Sequence, residues 1–332
     1  MQNILLSHGS GGKTSHELLK FIYDILSNVV VNHGEDSGIA TIPQNKIAIT
    51  TDSYVIEPIF FPGGDIGKLA ICGTLNDLAM VGAIPKYLTL SLIIEENFSF
   101  EDLKKILISI KKEADKSEIK IIAGDTKVVS KGKMDKIFIN TTGYGIIEHS
   151  QNINSKNAQT GDAVIVTGDI GDHGSAIMAV RNDFQSELVS DCTSVVQLIK
   201  TLLDESICIH TLRDPTRGGL ASILNEIAIA SSVDIELNET KIPIKDAVNG
   251  ICDVLGIDPL YMACEGRAVI FCPEDEVNKV VKILNNNDEG KNACKIGNVI
   301  NKSDNPRLYL KTFIGSRRIL PLLSREQTPR IC

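Results

Sequence analysis

The sequence contains no C-x-x-C pair: its eight cysteines are scattered, and the closest two, Cys264 and Cys272, are eight residues apart. This spacing argues against a structural zinc site, which needs clustered thiolates or imidazoles. Seven of the cysteines are predicted to be small buried side chains in a reducing compartment, as Cys272 is in the apolar run AVIFC. Cys332, the last residue, is the exception.

Long apolar runs and an excess of positive charge are also missing. No run approaches the length of about 18 residues that spans a bilayer. The first residues, MQNILLSHGSGGK, lack the basic start of a signal peptide. The formal net charge of −8 disfavours nucleic acids and anionic membranes as partners. These absences predict a cytoplasmic protein that binds neither.

A chain of 332 residues, 43% hydrophobic and 23% charged, is long enough for two domains with separate cores. Strand-like and helix-like segments alternate in both halves, which predicts an α/β or α+β fold. The polar segment at 150–160, QNINSKNAQTG, is the best boundary. We therefore expect an N-terminal domain at 1–150, a C-terminal α/β domain at 155–323 and a mobile tail at 324–332.

Apolar side chains at helical spacing predict several amphipathic helices. On one of them Leu103, Ile106, Leu107 and Ile110 should face inward. Further helices are expected near 175–182, 192–204 and 274–285, and strands are expected around 207–211 and 268–272.

The loop Ser7–Lys13, SHGSGGK, places glycines and a lysine before a helical segment. Glycines let backbone N–H groups approach an anion, and the lysine and the helix start add positive charge. The spacing differs from that of a Walker A loop. The loop is therefore either a phosphate contact or an ordinary flexible N-terminal loop.

Carboxylates recur where short apolar runs begin or end. Asp36 precedes one such run, Asp52 and Asp125 follow two others, and Asn76-Asp77 lies in a helical stretch that Gly64-Asp65 opens. Each carboxylate alone fits a turn residue. Together they fit Mg²⁺, which prefers oxygen ligands and bridges to nucleotide phosphates. The pattern therefore favours nucleotide binding.

The second half carries its own glycine-rich turns. His173 lies in the turn GDIGDHG, and the loop RDPTRGG contains Asp214 and Arg217. Arginines and paired glycines where a strand turns into a helix are typical of an anion site, although a tight turn with surface arginines is the alternative. Glu265 precedes an apolar strand, where partial burial could raise its pKa and make it a base.

The chain ends on Cys332, in the polar segment SREQTPRIC. Extended at about 3.3–3.6 Å per residue, this segment would carry a thiol over about 25–30 Å. Prenylation is excluded because that signal needs a cysteine four residues from the end, where Pro329 stands. The segment is either a frayed end or an arm that delivers the thiol to a pocket.

Taken together, these motifs resemble the HypE family of hydrogenase maturation proteins over essentially the whole length. The resemblance is carried by LSHGSGGK (6–13), the long segment 51–88, AGDTKVVSKGKMDKIFINTTGYG (123–145), TGDIGDHG (167–174), LRDPTRGG (212–219), ACEGRAVI (263–270) and the terminal PRIC (329–332). That family belongs to the superfamily of aminoimidazole ribonucleotide (AIR) synthetase, selenophosphate synthetase and thiamine-monophosphate kinase.

The resemblance implies a PurM-like fold, in which an N-terminal α+β domain pairs with a second subunit's to form a dimeric β-barrel beside a C-terminal α/β domain. It also implies a homodimer that uses ATP and Mg²⁺. A partner, HypF, would place a carbamoyl group on the sulfur of Cys332. ATP-dependent dehydration would then give a thiocyanate, whose cyanide passes to a HypC–HypD complex for the iron of [NiFe] hydrogenase.

The resemblance also implies roles for the residues introduced above. Metal ligands would be Asp36, Asp52, Asp77 and Asp125. Contacts to the nucleotide or to developing charge would come from Gly11, Gly12, Lys13, Asn76, Lys127, Asp214 and Arg217. Glu265 is our candidate base and His173 the second candidate.

The motifs leave two other interpretations open. One is a different ATP-dependent enzyme of the superfamily, such as a selenophosphate synthetase. The other is a non-catalytic metallochaperone that presents Cys332 to a metal, although one thiol makes a poor metal site.

Overall fold

The computed structural model describes residues 12–13, 16–17, 38–41, 46–323 and 327–332. The described strands form two large sheets, which divide the chain between residues 147 and 162, and one short ribbon. The expected mixed α and β architecture is confirmed.

The first sheet has five strands in the order β1-β2-β7-β5-β6. Its strands and those of the β3–β4 ribbon are β1 Gly38–Thr41, β2 Lys46–Tyr54, β3 Phe60–Phe61, β4 Gly64–Asp65, β5 Ile84–Glu95, β6 Lys120–Val129 and β7 Ile137–Ile147. Buried and less buried residues alternate strictly along β7. Because successive side chains of a strand point to opposite faces, this pattern shows a sheet with one covered face.

Between residues 46 and 161, where the structure describes every residue, the helices are α1 at Ile66–Met80 and α2 at Phe100–Lys116. Asp65 caps α1 by accepting bonds from the N–H groups of Gly67 and Lys68. Almost every residue of α1 is buried, so this helix forms the centre of the N-terminal core. Its position brings Asn76 and Asp77 to the junction with the C-terminal half.

The second sheet has seven strands in the order β14-β13-β10-β12-β8-β11-β9. Its strands are β8 Asp162–Val166, β9 Thr211–Arg213, β10 Val233–Asn238, β11 Val269–Pro273, β12 Cys294–Lys302, β13 Leu308–Lys311 and β14 Arg317–Ile319. The helices of this half are α3 Asp172–Arg181, α4 Val196–Asp204, α5 Gly219–Ser231, α6 Asp246–Leu255 and α7 Val277–Asn285.

Several expectations of detail were wrong. The strands that hold Asp52 and Asp125 do not end there but continue to Tyr54 and Val129, so both carboxylates lie inside strands. Leu107 is exposed instead of facing inward. Among the cysteines, Cys208 is exposed. The strand expected at 207–211 begins only at its last residue.

The outer face of the first sheet and its edge strand β6 are exposed. Nine of the ten β6 residues are exposed, including Ile122 and Val128. Tyr87 and Tyr144 stack on each other across β5 and β7, with Tyr87 44% exposed. An open edge with apolar side chains is a surface that other chains can pair with. Among the described residues, no helix is both long and apolar enough to cross a membrane.

Candidate active site

The end of the chain lies against the body of the protein. Ile331 is 4% exposed and packs in the N-terminal apolar core with Phe61. The imidazole Nε2 of His173 is 2.7 Å from the carbonyl oxygen of Ile331. Burial of an isoleucine side chain contributes about 1.5–3 kcal/mol. The tail is therefore docked at its last two residues.

The protonation state of the docked His173 follows from its partners. Nε2 must carry the hydrogen because the Ile331 oxygen can only accept, so Nδ1 accepts from the hydroxyl of Ser190 at 2.7 Å. Burial lowers the pKa of His173, which keeps the ring neutral. Both ring nitrogens are occupied while the tail is docked. This arrangement makes His173 a tail-binding residue and weakens its candidacy as the base.

Arg181, at the end of α3, is the second contact that the sequence did not reveal. Its guanidinium donates to the carbonyl oxygens of Pro329 and Arg330 and, at 2.7 Å from Nε, to that of Glu57. Arg330 in turn donates to Asp135 at 2.7 Å. Nothing in the sequence around Arg181 sets it apart from a surface arginine at a helix end.

Docking brings the partly buried Cys332 thiol to a group of carboxylates. Burial raises the pKa of Cys332 well above its usual range; Glu265 adds to this effect and Arg217 opposes it. Arg330, two residues from the thiol, is paired with Asp135. The thiol is therefore not activated as a nucleophile.

Glu265 is the most perturbed carboxyl of the site. It is 3% exposed, and its Oε1 atom is buried without a hydrogen-bond partner among the described residues. Burial raises the pKa of Glu265 well above 4.5, and Asp214 and Asp191 raise it further. Burial also raises the pKa of Asp214, from 3.8 to about 6. Perturbed carboxyls of this kind are typical of reaction centres.

The backbone at Glu265 is held by two side chains. Asp191 accepts from the N–H groups of Glu265 and Gly266, both at 3.1 Å. The amide of Asn76 donates to the carbonyl oxygens of Thr193 and Glu265. Asn76 therefore supports the base, which the sequence did not indicate, and its contact with a nucleotide stays a prediction.

Asp52 and Asp77 lie near each other beside this loop. Thr50 donates to Asp77 at 2.7 Å, and the hydroxyl of Tyr54 donates to Asp52 at 3.3 Å. Burial raises the pKa of Tyr54, and both carboxylates raise it further, which places the two around one phenol. These two predicted metal ligands are brought together.

Asp125 and Lys127 are not brought to the same place within one chain. Residues paired across a sheet share a face, and Asp125 is in register with Ser91 and, through it, with Asn140 and Ser53. Asp52 precedes Ser53 in β2, so its side chain points to the other face of the sheet, the one covered by α1. Asp125 therefore lies on the face opposite to that of Asp52. The side chains of Asp125 and Lys127 are 58% and 69% exposed and 3.4 Å apart.

The glycine-rich N-terminal loop is described only in part. Gly12 has φ +77°, and a Cβ there would come within 2.2 Å of the Leu323 oxygen, which also accepts from the N–H of Lys13. This contact with the base of the tail explains the glycine without a phosphate. Gly11 and Asp36 lie outside the described residues. In the part of the chain that is described, no three His, Cys, Asp or Glu side chains are grouped to hold a metal ion.

Comparison with known proteins places this chain in a family. Models of AIR synthase related proteins match residues 34–147 (N-terminal domain) and 159–308 (C-terminal domain). The carbamoyl dehydratase HypE of Escherichia coli K12 is 41% identical, with 100% of both chains covered. A solved structure of the hydrogenase maturation protein HypE in complex with ATP is 38% identical and covers 99% of this chain and 100% of its own, with a TM-score of 0.83. A chain in the solved structure of a HypE–HypF complex is 42% identical, and the match covers 92% of this chain and 99% of that one, also with a TM-score of 0.83.

Proposed function

Because this chain belongs to the HypE family of carbamoyl dehydratases and has the PurM-like fold of AIR synthase related proteins, we propose that it dehydrates its own tail in hydrogenase maturation. The substrate is Cys332 with a carbamoyl group on sulfur, and the product is the thiocyanate that donates cyanide. The docking of Ile331 on His173, which sets Cys332 beside Glu265, carries this proposal.

The reaction balances as phosphorylation followed by elimination. The carboxamide oxygen takes the γ-phosphoryl group of ATP and ADP leaves, so that a poor leaving oxygen becomes part of a phosphate. One N–H proton is then lost, and loss of the second accompanies cleavage of the C–O bond, formation of the C≡N bond and release of phosphate. Phosphoryl transfer needs mainly positioning and charge neutralisation. The protons need a base.

Glu265 is the proposed base. A carboxylate in a buried site is a stronger proton acceptor than one in water, because desolvation favours its neutral form. Its raised pKa means that ionisation limits the reaction at low pH. The rate should therefore rise with pH above the usual range of a glutamate.

We propose that carboxylates near Cys332 bind a divalent cation together with the phosphates of ATP, since Mg²⁺ is held by few carboxylates and by substrate phosphates. Burial raises the pKa of Asp214 and of Glu265, and neighbouring carboxylates raise both further, so an arriving cation would favour their ionised forms. Asp52 and Asp77 supply the oxygen ligands that Mg²⁺ prefers. Bound there, Mg²⁺ would neutralise the negative charge of the phosphates, and the positive charge of Arg217 would contribute to the same effect. The metal contact of Asp36 and the nucleotide contacts of Gly11 and Lys13 stay predictions.

A homodimer would complete the site. Strand β6 exposes its edge and Val128, and the outer sheet face exposes Tyr87, so a second copy that pairs there would cover both and form the predicted barrel. It would also supply Asp125 and Lys127 to a site that their own chain cannot reach. We propose this dimer as the active form.

The partners are proposed from the family, and the compartment is proposed from the composition of the sequence. A HypF-type carbamoyltransferase is proposed to load Cys332, in keeping with the HypE–HypF structure of the relative. A HypC–HypD complex is proposed to take the cyanide, and the cytoplasm is the proposed location. A metallochaperone role would leave the perturbed Glu265 without a purpose.

The test is mass spectrometry of the C-terminal peptide. The chain is carbamoylated by HypF and given Mg²⁺ and ATP. We expect an adduct on Cys332 that loses one water only when ATP is present. Glu265→Gln, which is nearly isosteric, should keep the adduct and slow water loss by about 10²–10⁴-fold. Undiminished water loss in this variant contradicts the assignment of the base, and absence of the adduct contradicts the substrate.

A further inference from the structure

The docked tail is held largely through its main chain. Arg181 donates to the carbonyl oxygens of Pro329 and Arg330, and His173 donates to that of Ile331. The N–H of Glu57 also donates to the Arg330 oxygen, at 3.2 Å. No contact in this set involves the sulfur of Cys332.

From this geometry we infer that Arg181 and His173 are positioning residues: they bind residues 329–331 and so place Cys332 beside Glu265 whether its sulfur is bare or carbamoylated. The inference relies on the proposed function for its purpose. Its test does not, because it requires neither ATP nor a carbamoyl group.

Arg181 suits this role through the shape of its head group. A guanidinium presents five N–H donors in one rigid plane, and Arg181 uses it to join Glu57 to two consecutive tail carbonyls. Arg330 itself has φ +51°, in the left-handed region that an L side chain rarely adopts. Such a backbone persists only where its surroundings hold it.

Tail side chains add selectivity for sequence. Ile331 fills an apolar site, while Arg330 donates to the Val55 oxygen at 3.0 Å and pairs with Asp135. The loop that carries Asp135 connects β6 and β7 of the N-terminal sheet, whereas His173 and Arg181 belong to the C-terminal half. Both halves of the chain therefore contact the tail, through its main chain and through the side chains of Arg330 and Ile331.

Reactivity of the Cys332 thiol measures docking directly. The full chain is treated with iodoacetamide at pH 8, and alkylation of the C-terminal peptide is followed by mass spectrometry. Release of the tail exposes the thiol and returns its pKa to about 8.5. Both effects accelerate alkylation, since the thiolate is the reacting form.

We expect Arg181→Gln and His173→Leu to raise the alkylation rate at least tenfold. His173→Gln keeps an N–H donor and should recover most of the protection. Arg318→Gln is the matched control, because the exposed Arg318 pairs with Asp258 and not with residues 329–331. Its rate should equal that of the parent chain.

Tail-side variants answer the objection that Arg181 or His173 merely supports the fold. Arg330→Gln and Asp135→Asn should each raise the rate, and the double variant should be no faster than the faster single one, because both remove the same ion pair. Parent-like rates in Arg181→Gln and Arg330→Gln would overturn the inference. So would a parent chain whose Cys332 reacts as fast as a free peptide.

Discussion

Asp214 offers a quantitative check on the electrostatics of the site. Its carboxyl is 5% exposed, and burial raises its pKa from 3.8 to about 6, with Asp52 contributing in the same direction and Arg213 opposing. The folded chain thus binds a proton between these two values that the unfolded chain has released. Stability is therefore lost as pH rises from about 4 through about 6.

The magnitude follows from the two pKa values. The pKa values in the folded and unfolded chain differ by about two units, and each unit corresponds to about 1.4 kcal/mol. At pH 7.5, where Asp214 is ionised in both states, this difference lowers the free energy of unfolding by about 3 kcal/mol. At pH 4.5 the cost is about 1 kcal/mol, because Asp214 is then protonated in the folded chain and the pH is less than one unit above its pKa in the unfolded chain. Asp214→Asn removes this cost and should stabilise the protein by these amounts.

The assay is urea unfolding at both pH values with one fixed protein concentration. Far-UV circular dichroism is the signal, since the chain has no tryptophan to report by fluorescence. Asp304→Asn is the control, because Asp304 is exposed and its loss should change stability by less than about 0.5 kcal/mol.

Two results would refute this reasoning. Destabilisation by Asp214→Asn at pH 7.5 would mean that the arginines hold Asp214 ionised. An equal effect at both pH values would mean that titration is not involved. The same variant should move the rise of the dehydration rate to lower pH, because Asp214 is one of the groups that raise the pKa of Glu265.

Two further predictions concern the dimer and the loop of the base. Val128→Asp should convert a dimer to a monomer in light scattering, whereas Val254→Asp, at a similarly exposed site on α6, should not; a dimer in both variants would place the interface elsewhere. Gly266→Ala should cost more than about 2 kcal/mol and abolish water loss, because its Cβ would lie 1.9 Å from the Asp191 oxygen. Gly250→Ala is the control: Gly250 lies inside a helix with open space around it, so this variant should stabilise the protein by about 0.5–1 kcal/mol in thermal unfolding. Parent-like stability and activity of Gly266→Ala would contradict the packing described.

Local signals in the sequence were sufficient for parts of the fold. Asp65 marked the start of α1, and the apolar spacing of Ile106 and Ile110 marked α2, since capping and periodicity are properties of neighbouring residues. The ends of β2 and β6 were missed at Asp52 and Asp125. There the strands continue because partners in β7 and β5 pair with them, and pairing is a tertiary effect.

The residues of the site also fall into those that local sequence indicated and those that depend on contacts between distant residues. Glu265 could be proposed from its place before a buried strand, and its burial agrees with that proposal. Asn76 and His173 were assigned other roles because their partners, Thr193 and Ile331, are distant in sequence. Arg181 carried no local signal, since a guanidinium that binds carbonyl oxygens needs no particular neighbours.

Docking of the tail on its own chain determines the kinetic order of the proposed reaction. A tethered substrate is present at an effective concentration of up to about millimolar, however dilute the protein. As long as the proposed dimer stays assembled, the half-time of dehydration should then be independent of enzyme concentration. Each chain holds a single Cys332, so product cannot exceed one equivalent until the tail is unloaded. Steady throughput would therefore be set by how fast the partners reload and empty that residue.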